Sequence, residues 1–238
     1  MARFVTAVLA TAASFVFAHD HRDKTAFIVV DVQNDFALPS GNLSVTGGET
    51  IIPTINKLRQ NVAFDMVVRT QDWHPLGHCS FYSAWASDPN ARIFEAYTLP
   101  WGMEQVLWPN HCTQNQYGAQ FHKDLIQKES DVIIQKGTNV KLDSYSALLE
   151  NDHKTETQLP KILKDAGIKK LVVVGLAEDY CVGSTAYDAK TVYDLEVVVI
   201  SDATAAVAVA TQKTMQDKLK AAGVKYQTSV EYLEHHHC

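Results

Sequence analysis

Residues 171–190 read LVVVGLAEDYCVGSTAYDAK, and this stretch decides the fold. Its first five residues are an apolar run rich in β-branched side chains. Continuous runs of this length suit a parallel strand buried on both faces. From Val182 onward the period changes. Val182, Thr185, Ala186, Ala189, Val192 and Tyr193 recur at helical spacing. A buried strand passing through one turn into a helix is the repeating unit of an α/β sheet. Cys181 falls in that turn, at the start of the predicted helix.

The same unit recurs along the chain. AFIVVD (26–31), FDMVVRT (64–70), DVIIQK (131–136) and EVVVIS (196–201) read as further strands, with KYQTSV (225–230) a weaker sixth. Helical spacing runs over 49–60, through Ile51, Ile52, Ile55 and Leu58, and over 156–166, where Gly167 is a stop signal. The alanine-rich stretch 204–222 reads as a last helix. The expected fold is α/β: a doubly wound, three-layer architecture on a mainly parallel six-stranded sheet. Residues 71–130 show few clear elements. Their Trp, Pro, His and Asn content predicts loops and short helices, an insert of the kind that builds a site.

A chain of 238 residues, 46% hydrophobic and 20% charged, can bury a substantial core without covalent staples. Its net charge of −6 and the lack of any basic stripe argue against a nucleic-acid partner. The four cysteines, Cys79, Cys112, Cys181 and Cys238, are widely spaced with no C-x-x-C pair, so free thiols are expected rather than a disulfide framework. MARFVTAVLATAASFVFA (1–18) resembles a secretory signal and is too short for a comfortable membrane span. LEHHH near the end resembles a purification tag. The expected organisation is an extension or signal-like segment over 1–23, one domain over 24–230 and a tag-like tail over 231–238. A cytoplasmic location without membrane association is expected, secretion being the alternative raised by the N-terminal run. Assembly into a homo-oligomer stays open.

Sites in such sheets form beyond the carboxyl ends of the strands. Asp31 ends the first predicted strand, Asp72 and His74 follow the second, Lys136 ends the third and Cys181 lies past the fourth. A cysteine at a helix N-terminus meets free N–H groups and the positive end of the helix dipole, which favour the thiolate and could hold an oxyanion. The alternative is a small buried apolar residue. Asp31, partly desolvated, could take a thiol proton and return it, or could simply form a turn. Lys136 could pair with Asp31 and favour the thiolate, or be an ordinary solvated lysine. Asp72 and His74, two apart, project to one side of an extended backbone. With His111 in LWPNHCTQ they describe a divalent-metal site of one carboxylate and two imidazoles. Histidines packed in a polar loop are the alternative.

VVDVQNDF, TQDWHPLGHCSF, WPNHC, QKG and VVGLAEDYCV together closely resemble the nicotinamidases, within the isochorismatase-like cysteine hydrolase superfamily. The resemblance covers residues 24–230. It implies hydrolysis of nicotinamide, and of pyrazinamide, by a triad of Asp31, Lys136 and Cys181. It implies an oxyanion hole from the N–H groups of Ala177 and Cys181, with a cis peptide between Leu176 and Ala177. It implies metal ligands at Asp72, His74 and His111, with His78 matching a position that ligates in only some members. Phe36, Trp108 and Tyr145 match aromatic positions of the ring pocket, and Gln33 matches a residue near the site. The implied cofactor is one divalent ion, zinc first, with iron and manganese equally suited to the donor set. The alternatives are hydrolysis of another small amide and a metal-binding member without turnover.

Overall fold

The apolar runs become strands, as their residue types require. The structure, a computed structural model, describes residues 23–236. The apolar N-terminal run with its signal-like reading, and His237 and Cys238, lie outside the described residues. The main sheet contains β1 (Lys24–Val30), β2 (Met66–Asp72), β5 (Val132–Lys136), β6 (Ile168–Leu176), β7 (Glu196–Ala205) and β8 (Lys225–Gln227). Its order is β5-β2-β1-β6-β7-β8, with every pairing parallel. The chain thus winds outward from β1 through β2 to β5, then restarts beside β1 and winds the other way. The switch between β1 and β6 is where such sheets place their sites.

Period-two alternation splits the core into two layers. Phe27 and Val29 of β1 face one side, together with Ile52, Ile55 and Leu58 of α2 (Ile52–Asn61) and Tyr232 and Leu233 of α6 (Ser229–Glu234). Ala26, Ile28 and Val30 face the other. There they meet Leu159 and Leu163 of α3 (Leu159–Ala166), Ala186 and Ala189 of α4 (Gly183–Thr191) and Leu219 of α5 (Val209–Ala221). This is the expected three-layer arrangement. α3 ends at Gly167 in the left-handed conformation (φ 71°), as its stop signal predicted. Among the described residues no helix is long and apolar enough to cross a membrane.

Several boundaries differ from the sequence reading by a few residues, and two of them have a clear physical cause. Thr204 and Ala205 belong to β7, which shifts register against β6, so α5 starts only at Val209. The reason is non-local: Asp179, on another segment, accepts the N–H groups of Val207 and Ala208 and the hydroxyl of Thr211. The sixth strand ends at Gln227, because Thr228 forms a capping box with Glu231 and opens α6.

The stretch 71–130 is the irregular insert expected. It holds a small antiparallel pair, β3 (Ala96–Thr98) with β4 (Glu104–Val106), two short 3₁₀ turns and long loops. A four-residue helix, α1 (Asn34–Ala37), follows β1. Gly175 has φ 115°, and a Cβ there would lie 2.1 Å from the Val30 carbonyl oxygen. Glycine is therefore what lets β1 and β6 close together beside the site.

Candidate active site

Four strand ends deliver buried polar groups to one point. Asp31 follows β1, Asp72 ends β2, Lys136 ends β5, and Cys181 sits on a π-helical turn (Glu178–Val182) between β6 and α4. Lys136 Nζ lies 2.9 Å from Asp31 Oδ2 and 3.3 Å from Cys181 Sγ. It also contacts Asp72 Oδ1 and donates to the Ser144 carbonyl at 3.0 Å. Thr70 donates to Asp31 Oδ1 at 2.5 Å and fixes the other carboxylate oxygen. Asp31 is fully buried and Lys136 is 1% exposed, so these charges interact with little solvent screening.

The electrostatics differ from the expectation for Cys181. Burial pushes its thiol well up, and the Asp31 charge adds to this, against the pull of Lys136. Burial also raises the Asp31 carboxyl, again opposed by Lys136. The favourable helix terminus is thus outweighed by desolvation. The resting pair is a neutral thiol beside a carboxylate that holds protons more readily than usual. The ammonium of Lys136 keeps its charge: burial works against it, but Asp31 and Asp72 outweigh that and raise it well above its ordinary value.

Asp72 faces two ways. One oxygen meets Lys136, while Oδ2 lies 3.5 Å from His74 Nε2 and 3.8 Å from His111 Nε2. Burial would raise the Asp72 carboxyl, yet Lys136, His74 and His111 together outweigh this and hold it well below the usual range. His74 Nδ1 meets the Gly137 carbonyl at 2.9 Å and His111 Nδ1 the Pro109 carbonyl at 2.8 Å. As Nδ1–H donors to those carbonyls, both rings turn Nε2 toward Asp72. The candidate ligand atoms of Asp72, His74 and His111 all lie within 4.8 Å of one another. That donor set fits one divalent ion.

The loops carrying the two imidazoles are tied together. His74 N–H donates to Cys112 O at 3.0 Å, and Gln114 N–H to His74 O at 2.9 Å. Asp35, buried, accepts the Cys112 N–H at 2.7 Å. Gly137 has φ 61°, and a Cβ there would lie 2.4 Å from His74 Cε1, so the glycine of QKG makes room for the imidazole.

His78 stands apart. Its ring stacks on His74 with centroids 4.2 Å apart, and its Nδ1 meets Ser80 Oγ at 2.8 Å. It groups with His74 and Asp143 rather than with Asp72 and His111. Burial brings its pKa down to about 4, so it is neutral at physiological pH.

A pocket opens over these groups. Phe36, Trp108 and Tyr145 line it, with Asp72, His74, His111, Ala177 and Cys181. Gln33 is not among the lining residues. It is fully buried, and its amide accepts the Asp72 N–H at 2.8 Å and donates to the Asp72 and Ala119 carbonyls. Its place is behind Asp72, as a clamp on that backbone. The peptide between Leu176 and Ala177 is cis, and the Ala177 carbonyl accepts the N–H groups of Tyr180 and Val182, closing the turn that carries Cys181.

Several pocket residues escaped sequence reading. Tyr180, Asp143, Leu43 and Val207 all line the wall. Tyr180 packs edge-on against Trp108, with centroids 4.8 Å apart. Its position beside Cys181 was the one available signal. The free thiols expected are present at Cys79, Cys112 and Cys181. Burial pushes Cys79 up to about 12, which marks it as an inert thiol.

A thiol, a carboxylate and an ammonium are thus gathered at the switch point of a parallel sheet. The isochorismatase domain family matches residues 25–231. The nicotinamidase of Acinetobacter baylyi is 47% identical over 164 residues, 69% of this chain and 73% of that protein. The nicotinamidase of Escherichia coli is 36% identical over 213 residues, covering 88% and 97%. Among solved structures, the Acinetobacter baumanii nicotinamidase/pyrazinamidase superposes with a TM-score of 0.81 at 42% identity, covering 89% of this chain and 99% of that one. PnC1 of L. infantum in complex with nicotinate gives 0.76 at 35%, covering 87% and 94%. The Pyrococcus horikoshii pyrazinamidase in complex with zinc gives 0.69 at 32%, covering 86% and 99%. The chain belongs to the isochorismatase family.

Proposed function

We propose that this amidase hydrolyses nicotinamide to nicotinate and ammonia, and accepts pyrazinamide. The observation that carries the reading is the single ammonium of Lys136 touching both Asp31 and Cys181, with Cys181 in the lining of an aromatic pocket. The likeness to nicotinamidases supports the choice of substrate.

In this reading Asp31 takes the Cys181 proton as the sulfur attacks the carboxamide carbon. A burial-raised carboxyl is suited to receiving that proton and giving it back. The oxyanion is held by the N–H groups of Ala177 and Cys181, two residues of the pocket lining. When the tetrahedral adduct collapses, the C–N bond breaks and Asp31 returns its proton to the departing ammonia. A thioester remains. Water then attacks it, Asp31 accepts a proton from that water, and the proton returns to the sulfur as nicotinate leaves. Lys136 stays charged throughout and offsets whichever of Asp31 and Cys181 is anionic.

Phe36, Trp108 and Tyr145 hold the ring. Asp72, His74 and His111 would hold one divalent ion, with zinc favoured by the zinc-bound pyrazinamidase and iron and manganese compatible with the donors. Such an ion would supply a Lewis-acid anchor for the pyridine nitrogen.

Ammonia release from nicotinamide, pyrazinamide and benzamide tests the assignment. Turnover of the first two and far slower turnover of benzamide, which lacks a ring nitrogen, is expected. Equal turnover of benzamide would overturn the ring-anchoring role, and inertness toward all three would overturn the amide-hydrolysing one.

A further inference from the structure

The proposed metal centre is short of one negative charge if its ligands are counted alone. Asp72 is the only carboxylate among them, and its charge is shared with Lys136. The buried catalytic cluster carries one ammonium, Lys136, and two carboxylates, Asp31 and Asp72. A divalent ion added to these, with the thiol neutral, leaves a net charge of +1 (2 + 1 − 2). Buried excess charge is costly, so a compensating group is expected at the same pocket.

Asp143 is that group by position. It is 3% exposed and lines the pocket with Asp72, His74 and His111. It has an oxygen within 4.8 Å of candidate ligand nitrogens of His74 and His78. Among the described residues no basic side chain forms an ion pair with it. Instead two neutral donors hold its carboxylate rigidly: Gln105 Nε2 donates to Oδ2 at 2.8 Å and Ser144 N–H to Oδ1 at 2.8 Å. Gly137 lies beside both groups: a Cβ there would meet Asp143 Oδ1 at an ordinary 3.4 Å but would collide with His74 Cε1 at 2.4 Å. A fixed, buried carboxylate without a cation, set beside a candidate cation site, is an arrangement that the cation itself would stabilise.

We propose that Asp143 is the outer carboxylate of the metal centre, a positioning residue that forms no coordination bond but supplies the missing charge and accepts a hydrogen bond from water bound to the ion. With Asp143 counted, the cluster and a divalent ion sum to zero. Outer partners of this kind tune metal affinity by roughly 10- to 100-fold. Gln105, on β4, then links the irregular insert to the metal site by aiming Asp143. This inference rests on the reading of Asp72, His74 and His111 as ligands.

The test is zinc affinity of the full-length protein, measured by competition with a chromogenic chelator. It compares the parent protein, Asp143→Asn, Gln105→Met and His74→Ala, with folding checked by circular dichroism. Asp143→Asn keeps the side chain's shape and removes its charge. Zinc binding roughly 10- to 100-fold weaker than the parent's is expected for it, a smaller loss in the same direction for Gln105→Met, and loss of binding for His74→Ala. Parent-like affinity in Asp143→Asn, alongside lost binding in His74→Ala, would overturn the role of Asp143 and leave the ligand set standing. Parent-like affinity in His74→Ala would overturn the ligand set and the present inference with it.

Discussion

Lys136 Nζ lies 3.3 Å from the sulfur of Cys181 while its other contacts are the carboxylates of Asp31 and Asp72 and the Ser144 carbonyl. One ammonium therefore joins the candidate nucleophile, its proposed base and the candidate metal site. The sheet order explains how. β5, β2, β1 and β6 are consecutive neighbours, so their carboxyl ends form one row.

Lys136→Met should cost stability in a pH-dependent way. Lys136 is the strongest of the groups, with His74 and His111, that hold the Asp72 carboxyl well below its ordinary value of 3.8 against burial. That contribution is present above the unfolded value and is lost as pH falls through the folded one. Without Lys136, two buried carboxylates lie close together without the ammonium between them. Breaking a buried pair this way costs about 3–5 kcal/mol, less in acid, where the carboxyls take up protons. Urea unfolding should show a larger deficit at pH 8 than at pH 5. Equal deficits would contradict the pairing.

Glu150→Gln should show the opposite sign to an ordinary acidic residue. Burial, aided by the charge of Asp143, raises this half-buried carboxyl from 4.5 to about 7. The native state then binds more protons than the unfolded one between those values, so stability falls as pH rises through that window. Gln removes the penalty. The variant should gain on the parent by up to about 1 kcal/mol at pH 8, after allowance for solvent screening, and by less at pH 5. Thermal unfolding at both pH values checks this. A gain independent of pH would argue against a titrating Glu150.

Gly137→Ala should weaken metal binding as well as stability. The positive φ costs an L-residue about 1–2 kcal/mol, and the new methyl would collide with the His74 ring. A chelator competition with zinc should show at least about tenfold weaker binding. Stability lost with zinc affinity intact would mean that the ring has somewhere else to go.

Asp179→Ala should loosen the pocket from a distance. Asp179 accepts from Val207 N–H (3.0 Å), Ala208 N–H (3.1 Å) and Thr211 Oγ1 (2.6 Å), capping α5 and tying the Val207 wall to the turn that carries Cys181. Loss of the cap should cost about 2 kcal/mol. KM for nicotinamide should rise more than kcat falls, because Val207 lines the pocket while Cys181 stays anchored through the Ala177 carbonyl. A fall in kcat alone would place Asp179 with the chemistry instead.

What the sequence revealed follows from how information is spread along it. Asp31, Asp72, Lys136 and Cys181 were legible because each terminates or closely follows an apolar run, and the sheet rule assigns such ends to one edge. The strand read over 171–175 was legible for the same reason, and β6 extends it to Ile168–Leu176. The start of α5 was not, because its capping carboxylate, Asp179, comes from a segment about thirty residues earlier. The bulged end of β7 was hidden by its polar residues Ser201 and Asp202. Asp143 reaches the pocket only through loop packing and a hydrogen bond from Gln105, a contact 38 residues apart with no local pattern. Gln33 matches a residue near the site, and its amide bonds to the Asp72 backbone, a contact that the sequence alone does not show.

The most direct measurement is nicotinate and ammonia formation from nicotinamide by the zinc-loaded protein and by Cys181→Ala, with zinc content determined for both. The account predicts equimolar products from the parent, a loss of roughly 10⁴-fold or more in the variant, and the same zinc content in each. Parent-like turnover by Cys181→Ala, or no products from the zinc-loaded parent, would contradict it.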